Sequence, residues 1–269
     1  MDFIMYLAKV CLYPMAAILI CGLTVWACRH LFLMLLGRRG YNLLVASAAV
    51  GTPIHELGHA AMCLLFGHEI VEMVLWQPHS DDGTWGYVRH TCNSDSLYQK
   101  LGGLFISAGP IFSGMAVMSL LLALFFPNTW SAYIASVGEM ARNQGSVPEL
   151  IFTGLGVIVN LFSEFGSGSR PFWLQIPMVA LMFLISLHIQ LSPGDIRNMW
   201  KAVPLYLAVT AAFGLVTWVL GRAVRGLVLT ALGAFHAFMM AMFTVVLTFA
   251  VAQVLLALLI RWLHLRIGK

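Results

Sequence analysis

The sequence predicts an all-α polytopic membrane protein, six or seven spans, with a small β-hairpin directly after the second helix. Three observations predict it. Of 269 residues, 60% are hydrophobic and only 10% charged, where a soluble domain carries about a quarter charged residues; mean hydropathy is +0.87. The apolar residues gather into runs of the roughly 20 residues that a bilayer-crossing helix needs. Within one of these runs stands Gly51-Thr52-Pro53-Ile54-His55-Glu56-Leu57-Gly58-His59, an ionisable cluster where ionisable groups are costly and usually functional.

Taken in order, the apolar runs place spans near 8–36, 42–66, 101–126, 172–191, 203–221 and 226–260. A weaker run at 147–163, interrupted by Gly154 and Gly156, makes a seventh if it crosses. The first run is too long for a signal peptide and is followed by Arg38-Arg39, so it reads as a retained span. Two basic residues in so short a loop favour the cytoplasmic side. The last run exceeds one bilayer thickness and must tilt, bend or protrude. One domain of several spans fits the length: 1–269 as a whole, a catalytic core over 42–200, and C-terminal helices over 203–269.

The net charge of +4 is small, and the basic residues are scattered at span ends (Arg197, Lys201, Arg222, Arg261). That pattern serves orientation and headgroup contact and excludes nucleic acid as a partner. Five cysteines with no CxxC pair offer neither a disulfide framework nor a cysteine metal motif.

Residues 67–100 are the one sizeable non-helical stretch. Ile70–Trp76 and Thr84–Thr91 are rich in β-branched and aromatic residues, and the turn-forming cluster from Pro78 to Gly83 separates them. The resulting hairpin either caps the solvent side or offers a strand edge that captures an extended peptide. Next, Ser107-Ala108-Gly109-Pro110 and Ser113-Gly114 form a small-residue patch suited to close helix packing in lipid.

His55 and His59 are i and i+4 on a helix, so both imidazoles leave one face a turn apart. Two neutral ring nitrogens so placed can bind one zinc ion, with Glu56 beside the open coordination position. A carboxylate there can take a proton from a water whose pKa the metal lowers and later protonate a leaving amine. Chance is a poor explanation, since a chain of this composition yields about 0.007 HExxH matches. A catalytic zinc needs a third protein ligand. The carboxylates beyond residue 100 are Glu139, Glu149, Glu164 and Asp195. Asp195 follows Pro193-Gly194, and broken backbone at membrane depth lines a site or a cavity. The alternatives are that Asp195 merely caps the helix that follows, and that His188, one or two turns earlier, is the third ligand.

HELGH in a membrane helix, a hairpin carrying Gly86-Tyr87-Val88, then Ala108-Gly109-Pro110 and Pro193-Gly194-Asp195, resembles the site-2 protease family of intramembrane zinc metalloproteases over roughly residues 45–200. The resemblance implies one zinc ion held by His55, His59 and Asp195, Glu56 as general base, and Gly86, Tyr87 and Val88 against the substrate. In this chain Asp195 is followed by Ile196, where the family pattern has glycine. The expected partner is a single-span or membrane-anchored protein, cut within or near the bilayer. The expected location is a membrane, as a multi-pass protein of the bacterial cytoplasmic membrane. Two rivals stand beside the protease: a catalytically silent homologue that binds or escorts membrane proteins, and a zinc transporter.

Overall fold

The computed structural model describes residues 2–78, 84–142, 147–167 and 170–267, without the side chains of 140–142, 147–151, 166, 167 and 267. The expected turn residues 79–83 lie outside it, as does the side chain of Glu149. The described residues form eight helices and a two-stranded sheet, in the order α1 (Phe3–Leu36), α2 (Arg38–Leu65), β1 (Glu69–Val74), β2 (Tyr87–Thr91), α3 (Leu97–Phe125), α4 (Pro127–Arg142), α5 (Val147–Ser167), α6 (Phe172–Ser186), α7 (Pro193–Val219) and α8 (Arg222–Ile267).

Among the described residues, four helices are long and apolar enough to cross a membrane: α1, α3, α7 and α8 up to Arg266. Their outer faces carry exposed Leu12, Leu23, Leu120, Val216 and Leu255, as lipid contact requires. This is an integral membrane protein. The helices at the spans expected over 42–66 and 172–191 do not meet the same measure of length and hydropathy. Helix α2 is long enough, but Thr52, His55, Glu56 and His59 lower its hydropathy. Helix α6 has only 15 residues, ending at Ser186 with Leu187 as its C-cap. Helix α8 runs for 46 residues, about 69 Å at 1.5 Å per residue, far beyond the roughly 30 Å hydrocarbon layer.

Helix α3 is the hub. Leu104, Ala108, Ile111, Met115, Met118 and Leu122 recur every three or four residues and are all buried, so one continuous stripe faces the core. On a neighbouring face α3 crosses α2 at backbone contact. A Cβ on Gly58 would lie 2.4 Å from the Gly109 carbonyl oxygen, and one on Gly109 equally close to the Gly58 oxygen. The small-residue patch therefore does pack helices.

The non-helical segment 187–192 is wedged among three helices, each yielding a glycine to it. Gly51 of α2 lies against the His188 ring, Gly114 of α3 against Ile189, and Gly22 of α1 against Leu191. Leu187, His188, Ile189 and Leu191 are all buried, which is the condition under which irregular backbone is tolerated at membrane depth. Helix α7 then starts on a capping box: Ser192 N–H donates to Asp195 Oδ2 at 2.7 Å and Asp195 N–H to Ser192 Oγ at 3.1 Å, with Pro193 in the first turn.

Strands β1 and β2 pair antiparallel, Glu69 opposite Thr91 and Val74 opposite Tyr87, with an irregularity between Ile70 and Glu72. Glu164, one of the candidate ligands by sequence, is occupied elsewhere. It accepts from Asn128 N–H, Thr129 N–H and Thr129 Oγ1 and so caps the start of α4. Glu139 is exposed.

Because the Gly58–Gly109 contact is backbone on backbone, neither side can move aside alone. Gly109→Ala should destabilise the protein by about 1–3 kcal/mol, read as a lower midpoint of thermal unfolding in detergent. Gly156→Ala, at an α5 position with open space around it, should cause no loss.

Candidate metal centre

Helix α2 presents His55 and His59 one turn apart, and α7 brings Asp195 to them at its capped start. The ligand atoms lie close together: His55 Nε2 to His59 Nε2 is 3.3 Å, and Asp195 turns one oxygen to each imidazole, Oδ1 3.2 Å from His59 Nε2 and Oδ2 3.6 Å from His55 Nε2. Among the described residues this is the one cluster of three or more metal-ligating side chains. A tetrahedral zinc with bonds of about 2.0–2.1 Å holds its ligands about 3.3–3.4 Å apart, so the cluster has the dimensions of a metal site.

Proton positions strengthen the fit. His59 Nδ1 lies 2.7 Å from the Ile106 carbonyl oxygen and His55 Nδ1 lies 3.2 Å from that of His188. A carbonyl only accepts, so both Nδ1 atoms carry the ring proton. Neutral imidazoles in this tautomer turn bare Nε2 lone pairs toward each other and toward a carboxylate. Three converging acceptors repel unless a cation, or additional protons, lies between them. Nδ1–H donation to a backbone carbonyl is also what orients metal-ligating histidines generally.

Asp195 is both cap and candidate ligand. Oδ2 receives the Ser192 N–H while Oδ1 faces His59, so one carboxylate serves both purposes. His188 stands outside the cluster. Ser47 Oγ donates to the Leu44 carbonyl at 3.0 Å, so the 2.9 Å contact between Ser47 Oγ and His188 Nε2 is donated by the imidazole. That nitrogen has no lone pair to give a metal. The contribution of His188 is its backbone carbonyl, which holds His55.

A cavity of about 760 Å³ opens onto the cluster. Glu56, buried to 6% exposure, lines it beside the two histidines. Gly86, Tyr87 and Val88 line it too, preceded by Trp85. A Cβ on Gly86 would meet Glu56 Cγ at 2.9 Å and Thr52 Cγ2 at 2.8 Å, so the chain entering β2 lies directly on the motif helix. The Tyr87 hydroxyl donates to Glu72 at 2.6 Å, and Arg89 pairs with the same carboxylate at 2.9 Å.

Several cavity residues carried no sequence signal: Arg29, His90, Gln190 and Asn198. His68 Nε2–H donates to the Gln99 carbonyl at 2.8 Å, which leaves its Nδ1 to accept from His90 Nδ1–H at 2.9 Å. Burial, and then the neighbouring His68, hold the His90 imidazole below its ordinary pKa, so it faces the cavity neutral. A histidine pair 22 residues apart across a hairpin has no recognisable spacing.

No protein-family model, curated protein or solved structure matches this chain.

An added Cβ at Gly51 would lie 2.2 Å from the His188 ring, so Gly51→Ala must displace the residue whose carbonyl orients His55. Apparent zinc affinity, measured by competition with a chelator, should fall about 10–100-fold. The Gly86→Ala variant, whose Cβ would press on Thr52 and Glu56 and on no ligand or carbonyl that orients one, should bind zinc as the unmodified protein does.

Proposed function

We propose that the protein is an intramembrane zinc metalloprotease of the site-2 type, hydrolysing peptide bonds of membrane-anchored proteins within or near the bilayer. The observation that carries this is the convergence of two bare imidazole nitrogens and a carboxylate at metal-ligand separations, with Glu56 lining the same cavity. His55, His59 and Asp195 would hold the ion. Three protein ligands are the complement of a catalytic zinc, which keeps a fourth position open. When bound, zinc supplies Lewis acidity, lowering the pKa of water and polarising a carbonyl.

The chain's own groups do the rest. Glu56 follows His55 by one residue and so leaves α2 on an adjacent face, where it takes a proton from the attacking water and returns it to the departing amine. The Nδ1 hydrogen bonds to Ile106 and His188 keep both imidazoles aimed while charge develops. The backbone at Gly86 approaches Glu56 because no side chain intervenes. An extended peptide laid along the adjoining strand would pass beside the general base, held by main-chain hydrogen bonds. A membrane helix must unwind to be cut, since its peptide groups are otherwise bonded internally, and a strand edge stabilises the unwound form.

In this account α2 and α6 lie in the membrane with the four long helices, making six spans, with α5 as the candidate seventh. The broken segment 187–192 then sits at depth, sheltered by α1, α2 and α3. Asp195 retains its ligand role although Ile196 follows it, because the turn is built by Ser192, Pro193 and the capping box and asks nothing of residue 196.

The test uses purified zinc-loaded protein in detergent and a pool of unrelated peptides, with new termini read by mass spectrometry. The unmodified protein should generate them, and Glu56→Gln should bind zinc equally yet turn over at least about 10²-fold more slowly. Undiminished cleavage by Glu56→Gln rejects the assignment. Zinc binding with no cleavage by the unmodified protein favours the silent scaffold.

A further inference from the structure

We infer that Arg29 is an anion-recognising residue of the cavity and selects peptides that carry a carboxylate near the bond to be cut; this rests on the peptidase reading of the cavity. Helix α1 places it. Gly22 packs against Leu191 and Phe32 against Phe183, with ring centroids 6.5 Å apart, so α1 runs antiparallel to the chain from 183 to 191. Arg29 follows Gly22 by seven residues, two turns on and on the same face, which turns it toward that same segment and the cavity that His188 and Gln190 also line.

Arg29 lines the same cavity as the metal cluster and is the one Lys or Arg among the described residues that does so. It forms no ion pair and no hydrogen bond among the described residues. Among the described residues, the two carboxylates of the cavity are otherwise assigned: Asp195 to its cap and the histidines, Glu56 to the proton. Gln190, which also lines the cavity and whose side chain has no hydrogen-bond partner among the described residues, adds a neutral donor. A permanently charged fork left unpaired in an apolar helix is costly. Its planar donors match a carboxylate in bidentate fashion. The occupant of this cavity is a peptide, so the matching anion is an aspartate or glutamate side chain of that peptide.

The probes are peptidyl hydroxamates of one sequence carrying aspartate or asparagine, scanned over the three positions nearest the hydroxamate and titrated calorimetrically into zinc-loaded protein. At one of these positions the aspartyl compound should bind about 10–100-fold more tightly than its asparaginyl twin. Arg29→Gln should bring that ratio to about one while leaving the asparaginyl affinity unchanged, and Arg29→Glu should favour a lysyl twin. Equal binding of the twins at every position, or a preference that survives Arg29→Gln, overturns the inference and leaves peptide hydrolysis standing. If Arg29→Gln instead reduces only the anionic phospholipid that co-purifies, the residue serves a headgroup and the inference falls. Failure of every hydroxamate to bind protein of verified zinc content overturns the peptidase reading along with it.

Discussion

Two imidazoles whose Nδ1 protons are given to backbone carbonyls turn their Nε2 atoms on one another, and a carboxylate faces the same point. Much of the surrounding architecture serves that convergence. The Ile106 carbonyl reaches His59 only because α3 crosses α2 at Gly58 and Gly109 with nothing between the backbones. The His188 carbonyl reaches His55 only because Gly51 lets the break in the chain lie against α2. Asp195 is fixed by its own capping box. Each ligand is thus held by backbone hydrogen bonds, and side-chain rotamers are left little freedom.

The same arrangement accounts for where the polar groups are in an otherwise apolar molecule. Segment 187–192 abandons the helix at the expense of its internal hydrogen bonds. Some are restored nearby: Gln253 Nε2 donates to the Phe183 carbonyl at 2.7 Å, and the backbone of His188 donates to Ile185. Burial among α1, α2 and α3 keeps lipid away from the remainder. The hairpin completes the enclosure from the other side, tied down where Tyr98 donates to the Leu65 carbonyl and Gln99 to that of Gly67.

What was legible in the sequence follows from the range of each interaction. His55 and His59 meet through helical periodicity alone, so five residues suffice to expose them. Asp195 was marked by Pro193-Gly194, a local signal that also encodes the cap. The two alternatives weighed for Asp195, ligand and cap, are compatible because a carboxylate has two oxygens. The hairpin was legible from its β-branched strands. By contrast, any residue has a carbonyl, so nothing marked Ile106 or the backbone role of His188. Arg29 lies outside the 45–200 stretch that carries the family resemblance, and its place in the cavity depends on how α1 runs past residues 183–191. The run expected at 172–191 outlasts helix α6 because hydropathy does not register where a helix ends: Leu187 to Leu191 are mostly apolar yet not helical.

The central claim is that His55, His59 and Asp195 together hold one zinc ion, and X-ray absorption at the zinc edge tests it most directly. Purified protein should show light-atom ligands at about 2.0–2.1 Å, with the outer-shell signature of two imidazoles. A sulfur shell at about 2.3 Å, or a folded protein that takes up no zinc when it is supplied, would contradict the account.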